Sequence, residues 1–223
     1  MNPKSIVTIA VGPVTYKVRQ RARVNHGGKL EGIVDHEKCV ISIDRAFPND
    51  GYQLRLDHER GHCVMVQAGC RQALTSYMRP DVDMVDDVEE TILQTFLPVC
   101  TDALRHISPN QQKFLRAVHV GGLRYRIKRI ARVQYGRETV DSTVDHRRQE
   151  IRIDRSFGIE AFQASLGYEI GVTAFFLSGC RQAVQTYLKP KVDVDDVTIT
   201  FLQIFMPAYI DSIRRDTYKG DAQ

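Results

Sequence analysis

The sequence has no long apolar segment. No apolar run approaches the roughly 18 residues that a membrane-spanning helix needs, and the first residues lack the apolar stretch of a secretory signal peptide. Hydrophobic residues make up 43% of the 223 residues and charged residues 26%, values that are usual for a globular protein in water. We therefore expect a protein that is not inserted in a membrane.

The sequence also lacks a paired arrangement of cysteines. The five cysteines are an odd number, four of them lie before residue 109, and none belongs to a Cys-x-x-Cys pair. This pattern does not fit a disulfide framework and favours a reducing compartment, so we expect a cytoplasmic protein.

The sequence does contain an internal repeat. Residues 34–47 read VDHEKCVISIDRAF, and residues 144–157 read VDHRRQEIRIDRSF, with eight of fourteen positions identical at an offset of 110. The string GCRQA at 69–73 returns at the same offset at 179–183. We therefore predict two tandem units of roughly 105 residues, a common domain size, over residues 1–107 and 108–223.

Alternating polar and apolar residues predict two β-hairpins at the start of each unit. In the first unit the strands are expected at 6–10 and 14–24, and then at 33–35 and 39–43. Helices are expected at 52–68 and from the acidic run 81–90 onward, with counterparts in the second unit. The predicted fold class is α+β, with each unit a twisted antiparallel sheet of hairpins followed by two helices.

The first predicted helix carries a His-Glu-x-x-His motif. His58 and His62 are four residues apart, so a helix places them on one face, where two imidazoles can bind a single metal ion. Glu59 lies beside them, where a carboxylate can polarise a metal-bound water. At the offset of 110, Tyr168 and Val172 replace the histidines. The second unit is therefore predicted to have lost the metal site.

A third ligand is expected, since zinc sites of this kind use three protein ligands and keep one position for water. The acidic run 81–90 offers several carboxylates. Its aspartates at 86 and 87 recur in the second unit, whereas Glu90 aligns with Ile199 and Glu89 with Thr198. We predict Glu90 as the third ligand, with Glu89 as the alternative, and zinc as the metal that suits nitrogen and oxygen donors.

These features resemble the short gluzincin-type metallopeptidases of the ImmA/IrrE kind, which occur in phages and mobile elements. The resemblance rests on the Ile-Ser-Ile-Asp strand at 41–44, the His-Glu-x-x-His helix and the later helix with Glu90. It covers residues 6–105, and the second unit resembles the family in framework only. It implies zinc-dependent peptide hydrolysis of a protein substrate, with Glu59 as general base, three zinc ligands (His58, His62 and Glu90), and a second unit that is a pseudoenzyme domain.

The charge is unevenly distributed between the two units. Residues 1–108 contain 13 Lys and Arg against 14 Asp and Glu, whereas residues 109–223 contain 18 against 13. This basic excess favours an alternative function. In this alternative, the duplicated metallopeptidase scaffold is a non-catalytic binding protein that engages a host protein or, through the basic second unit, nucleic acid.

Overall fold

The structure is a computed structural model that describes residues 6–22, 24, 32–46, 49–105, 114–215 and 217–218. It divides into two compact units. Unit 1 comprises Met1–Ser76 and Ala208–Gln223, and unit 2 comprises Tyr77–Pro207. This division differs from the boundary between the two sequence halves, because helix Glu90–Arg105 packs against helices Ile159–Leu177 and Cys180–Gln185 of the second half.

Unit 1 contains a five-stranded mixed sheet. Its strands are β1 (Ile6–Val11), β2 (Val14–Arg21), β3 (Gly32–Asp35), β4 (Val40–Asp44) and β11 (Thr217–Tyr218), in the order β11-β1-β2-β4-β3. The predicted hairpins are present, because β1 pairs with β2 and β3 with β4 in antiparallel fashion.

The prediction of a wholly antiparallel sheet is wrong, since β2 and β4 pair in parallel. A tight turn imposes antiparallel pairing only on the two strands that it joins. The connection from β2 to β3 is longer, spanning residues 22–31, so it does not fix how the two hairpins meet. Placing β4 beside β2 leaves β3 at the edge of the described sheet.

Helix α1 (Asn49–Gln67) packs on this sheet and is followed by the short helix α2 (Cys70–Thr75). Leu56, Cys63 and Val64 recur at helical spacing on one side of α1 and are fully buried. Gly69, between the helices, has a φ of 79°, a left-handed conformation that favours glycine. The apolar side of α1 therefore faces the strands and fixes how the helix is rotated.

Unit 2 has a second mixed sheet with helices on it. The strands β5 (Ala117–Val120), β6 (Leu123–Ile130), β9 (Ser142–Asp145) and β10 (Glu150–Asp154) lie in the order β5-β6-β10-β9, and β7 (Val133–Tyr135) and β8 (Glu138–Val140) form a separate hairpin. The helices are α3 (Glu90–Arg105), α4 (Ile159–Leu177), α5 (Cys180–Gln185) and α6 (Val194–Arg214), and a π-helix (Met84–Glu89) runs directly into α3. The residues of α6 from Ala208 onward belong to unit 1. Strands β6 and β10 are parallel, as β2 and β4 are in unit 1.

The core of unit 2 is aromatic where α3, α4 and α6 meet. Phe96 of α3 contacts Phe175, Phe201 and Phe205, with ring centroids 5.7 to 5.9 Å apart. All four rings are buried, and their tilted or edge-on arrangements are those that aromatic quadrupoles prefer. This cluster anchors α3, and with it the residue that begins that helix, Glu90.

Reciprocal contacts join two segments of unit 2. The hydroxyl of Tyr77 lies 3.3 Å from Oγ1 of Thr200, and the hydroxyl of Tyr187 lies 3.2 Å from Oγ1 of Thr91. Each tyrosine also accepts a backbone hydrogen bond on its carbonyl from the other segment, from Lys189 N to Tyr77 and from Arg79 N to Tyr187. Such exchange of equivalent contacts is typical of an interface with two-fold character.

The fold class is confirmed as α+β, with mixed sheets and packed helices. Within the described residues, none of the helices has the length and apolar character to cross a bilayer.

Candidate metal site

Two histidine side chains of α1 converge on one point. The Nε2 atoms of His58 and His62 are 3.2 Å apart, and the two rings stand nearly perpendicular, at 82°. Two nitrogen ligands of one tetrahedral zinc are expected about 3.3 Å apart, since each Zn–N bond is about 2.0 to 2.1 Å. The pair therefore has the separation that a shared metal ion requires.

Glu90, the predicted third ligand, is the first residue of α3. Its Oε2 atom accepts a hydrogen bond of 3.0 Å from Nε2 of Gln94, one turn further along the helix. A bond of this kind orients a carboxylate for coordination. The alternative, Glu89, is fully buried at the end of the π-helix, whereas Glu90 is only half-buried.

The π-helix contains one residue more than the corresponding part of α6. Between the capping aspartate and the Asp-Asp-Val string, the first half has Met84 and Val85, whereas the second half has Val194 alone. Asp83 caps the π-helix by accepting hydrogen bonds from the backbone N–H of Val85 and Asp86, and these bonds lower the pKa of its carboxyl. π-Helical turns commonly hold such an extra residue and are frequent at functional sites.

The three predicted ligands form one group. One ligand atom from each of His58, His62 and Glu90 lies within 4.8 Å of the other two, and all three side chains are half-buried. Among the residues that the structure describes, no other set of three or more His, Cys, Asp or Glu side chains comes together in this way. Two imidazoles and a carboxylate are donors that fit zinc, and three protein ligands leave a position for water. The group can therefore hold a metal ion, and Glu89 does not belong to it.

Glu59, the predicted general base, is more deeply buried than the two histidines that flank it in α1. It is 6% exposed, and its side chain contacts the backbone of Gly32 in β3. A Cβ atom built on Gly32 would come within 2.9 Å of Cγ and Cδ of Glu59. The edge strand β3 therefore packs against the Glu59 side chain.

Sequence reasoning missed Arg60, the largest of the fully buried side chains. Its charge lies near Cys63 and partly offsets the effect of burial, which raises the pKa of that thiol. At the offset of 110, Ile170 replaces Arg60. A comparison of the two halves could have flagged Arg60, because a buried cation in place of an apolar residue is uncommon.

The second half keeps the carboxylate of this site but not the ligands. Glu169 matches Glu59 in the sequence repeat and is buried, and Oγ of Ser142 donates a 2.7 Å hydrogen bond to its Oε1. Burial raises the pKa of Glu169 to about 7, although the hydrogen bond from Ser142 lowers it. The described part of unit 2 therefore has a buried carboxyl with a hydroxyl partner where unit 1 has Glu59 beside two histidines.

Three basic side chains of the second half lie together on one face of the unit 2 sheet. Glu150 of β10 is 3% exposed and pairs with Lys128 at 2.7 Å, Arg126 at 3.0 Å and Arg152 at 3.3 Å. These pairings lower the pKa of the Glu150 carboxyl. Arg126 and Lys128 point outward from alternate positions of β6, and their side chains are 59% and 48% exposed. One carboxylate thus orients three cations on an open sheet face.

Comparison with known proteins gives no relative. No protein-family model, no curated protein and no solved structure matches this chain. The resemblance to ImmA/IrrE-type metallopeptidases therefore stays a prediction that rests on the motifs and their spacing.

Proposed function

We propose that this protein is a zinc-dependent peptidase. In this proposal His58, His62 and Glu90 bind the metal, and Glu59 accepts a proton from the water that attacks a peptide carbonyl. The observation that carries the proposal is the convergence of one ligand atom from each of the three side chains within 4.8 Å. Zinc in such a site supplies Lewis acidity that activates water and polarises the carbonyl.

The residues around the three ligands support this chemistry. The half-buried state of His58, His62 and Glu90 is compatible with access for a substrate. Glu59 is nearly excluded from solvent, and a carboxylate that is shielded from water interacts more strongly with nearby charge and protons. Gln94 orients Glu90. These side chains would hold the ligands and the base before a substrate binds.

A peptide is the proposed substrate because of the strand beside Glu59. β3 lies at the edge of the described sheet, and Gly32 within it contacts Glu59. An edge strand offers unpaired backbone groups, to which an extended peptide can add as a further strand. A peptide bound in this way would pass the carboxylate that the proposal assigns as base.

A mobile-element origin and a cytoplasmic location belong to the same proposal. The first follows from the motif resemblance. The second is supported by the cysteines, since none of the five forms a disulfide and four of them are buried. Reduced, buried thiols suit a reducing compartment.

The test uses the protein loaded with one equivalent of zinc and a denatured polypeptide library, with new termini identified by mass spectrometry. We expect cleavage by the wild-type protein and a loss of about a thousandfold or more in Glu59→Gln, because general-base catalysis of this type contributes roughly 10²–10⁴-fold. The Glu59→Gln variant should keep its zinc, since all three ligands remain. Equal product formation by the two proteins, or no cleavage by zinc-loaded wild type, would reject the peptidase.

The sheet face with Arg126, Lys128 and Arg152 favours a second candidate function, binding of nucleic acid. These positively charged side chains, which pair with the buried Glu150 carboxylate, complement the negative charge of a phosphate backbone. This candidate predicts binding of a labelled 20-nucleotide DNA with an affinity that falls steeply with salt. Arg126→Ala with Lys128→Ala should weaken it, whereas Lys17→Ala with Arg19→Ala, at the matched positions of β2, should not. Equal weakening by the two double variants would indicate nonspecific attraction.

A further inference from the structure

The position of Gly32 in β3 leaves no room for a side chain. A Cβ atom there would come closest to Oε1 of Glu59 and would approach its Cγ and Cδ to 2.9 Å, a distance that real Cβ atoms essentially never show. Gly32 has no positive φ, so its backbone is one that other residues adopt. The requirement for glycine therefore comes from the space that Glu59 occupies and not from the backbone conformation.

Glu59 has little freedom to move away from an added side chain. It is 6% exposed, and its neighbours on the same side of α1, Leu56 and Cys63, are fully buried against the strands. In a close-packed interior, a displaced side chain must push other groups aside or leave its position altogether. An alanine at position 32 should thus change the placement of the carboxylate.

The matched position in unit 2 has a side chain. Ser142 occupies the position of Gly32 in β9, and its hydroxyl donates to the Glu169 carboxylate over 2.7 Å. In that unit the strand residue fixes the carboxyl by a direct hydrogen bond. The two halves thus differ at the strand residue as well as at the metal ligands.

We propose that Gly32 is a positioning residue of the metal site. By having no side chain, it lets the Glu59 carboxylate lie against the backbone of β3 in the placement that water activation needs. A side chain at this position would displace the carboxylate while leaving His58, His62 and Glu90 unchanged. The catalytic part of this inference rests on the proposed function, whereas the packing relation between Gly32 and Glu59 does not.

The first experiment is a double-mutant cycle on thermal stability. Gly32→Ala is compared in the wild-type background and in Glu59→Ala, where the carboxylate is gone. We expect Gly32→Ala to lower the Tm by several degrees in the wild type and by clearly less in Glu59→Ala. If Gly32→Ala alone does not fold, folding of the double variant gives the same result. An equal fall in Tm in both backgrounds would overturn the proposal.

The second experiment measures zinc content and peptide cleavage in Gly32→Ala and Gly32→Ser. We expect about one zinc per chain in both and a fall in kcat of about a hundredfold, the loss that a misplacement of about 1 Å can cause. Ser142→Gly, the matched exchange in unit 2, should leave kcat unchanged. Full kcat in Gly32→Ala would overturn the positioning role even if the stability cycle shows coupling. If the wild type cleaves no peptide, the proposed function and the catalytic role fail together, and the stability cycle still tests the packing relation.

Discussion

Ser142 and Glu169 form a hydrogen-bonded pair in unit 2, with Oγ of the serine 2.7 Å from Oε1 of the carboxylate. The same two positions in unit 1 are Gly32 and Glu59, and there the glycine only makes room. At this pair of positions, a serine hydroxyl donates to the carboxylate in unit 2, whereas in unit 1 a glycine packs against the carboxylate.

Stability should depend on the protonation of Glu169. Burial raises the pKa of this group from 4.5 to about 7, so the folded state binds the proton more tightly than the unfolded state. The stability that the group contributes is therefore fully present below about pH 4.5 and is lost as the pH rises through about 7. Glu169→Gln should remove this dependence. The free energy of unfolding of the variant, relative to that of the wild type, should therefore rise by about 3 kcal/mol between pH 4.5 and 8. Chemical denaturation of both proteins across that range measures it, and a pH-independent difference would contradict it.

Zinc binding should depend on both histidines of α1. Elemental analysis of the purified wild-type protein is expected to give about one zinc per chain, and His58→Ala and His62→Ala should each reduce it to near zero, because two ligands hold the ion poorly. His146→Ala is the control and should keep its zinc, since this histidine is hydrogen-bonded to Tyr125 and stacked on Phe176 in unit 2. Zinc retained in His58→Ala would show that the metal lies elsewhere.

Measuring the zinc affinity of variants can test whether Glu90 or Glu89 is the third ligand. Gln94→Ala should weaken zinc binding by roughly 10- to 100-fold, as loss of an outer-shell partner does. Glu90→Ala should weaken it further, because it removes the ligand itself. Glu89→Gln should leave the zinc Kd close to that of the wild type. The measurement is competition with a chelator of known affinity, and a larger effect for Glu89→Gln than for Glu90→Ala would reverse the assignment.

A glycine in α4 should be intolerant of any side chain. A Cβ atom on Gly171 would lie 2.8 Å from Cγ and 2.9 Å from Sδ of Met206, which is itself buried. Gly171→Ala should therefore lower the free energy of unfolding by about 1–3 kcal/mol through overpacking. Gly158→Ala is the control, because a Cβ there meets nothing within 4 Å. Equal melting temperatures for the two variants would contradict the packing of α4 against α6.

Much of the local structure could be predicted from the sequence. The hairpin strands and the helix with His58 and His62 lie close to where periodicity predicts them, because alternation and helical spacing depend only on neighbouring residues. Gly69 has the left-handed backbone expected of a glycine that ends a helix.

The pairing of strands and the neighbours of buried side chains could not be predicted in this way. The parallel pairing of β2 with β4 joins segments whose connection does not constrain them, so local pattern does not determine it. Burial of Arg60 and contact between Gly32 and Glu59 likewise depend on which strand α1 packs against. The helical spacing that places His58 and His62 on one face of α1 does not predict which strand packs against Glu59.

The sequence by itself determined the α+β class, the His-Glu-x-x-His pair and the candidates for a third ligand, since each follows from residue type and spacing along the chain. Only the tertiary structure decided that a ligand atom of Glu90, and none of Glu89, joins those of His58 and His62. Adjacent helix residues point about 100° apart, so which one reaches a given point depends on how the helix is rotated in its packing. That rotation is fixed by contacts between residues far apart in the chain, such as those of the aromatic cluster around Phe96.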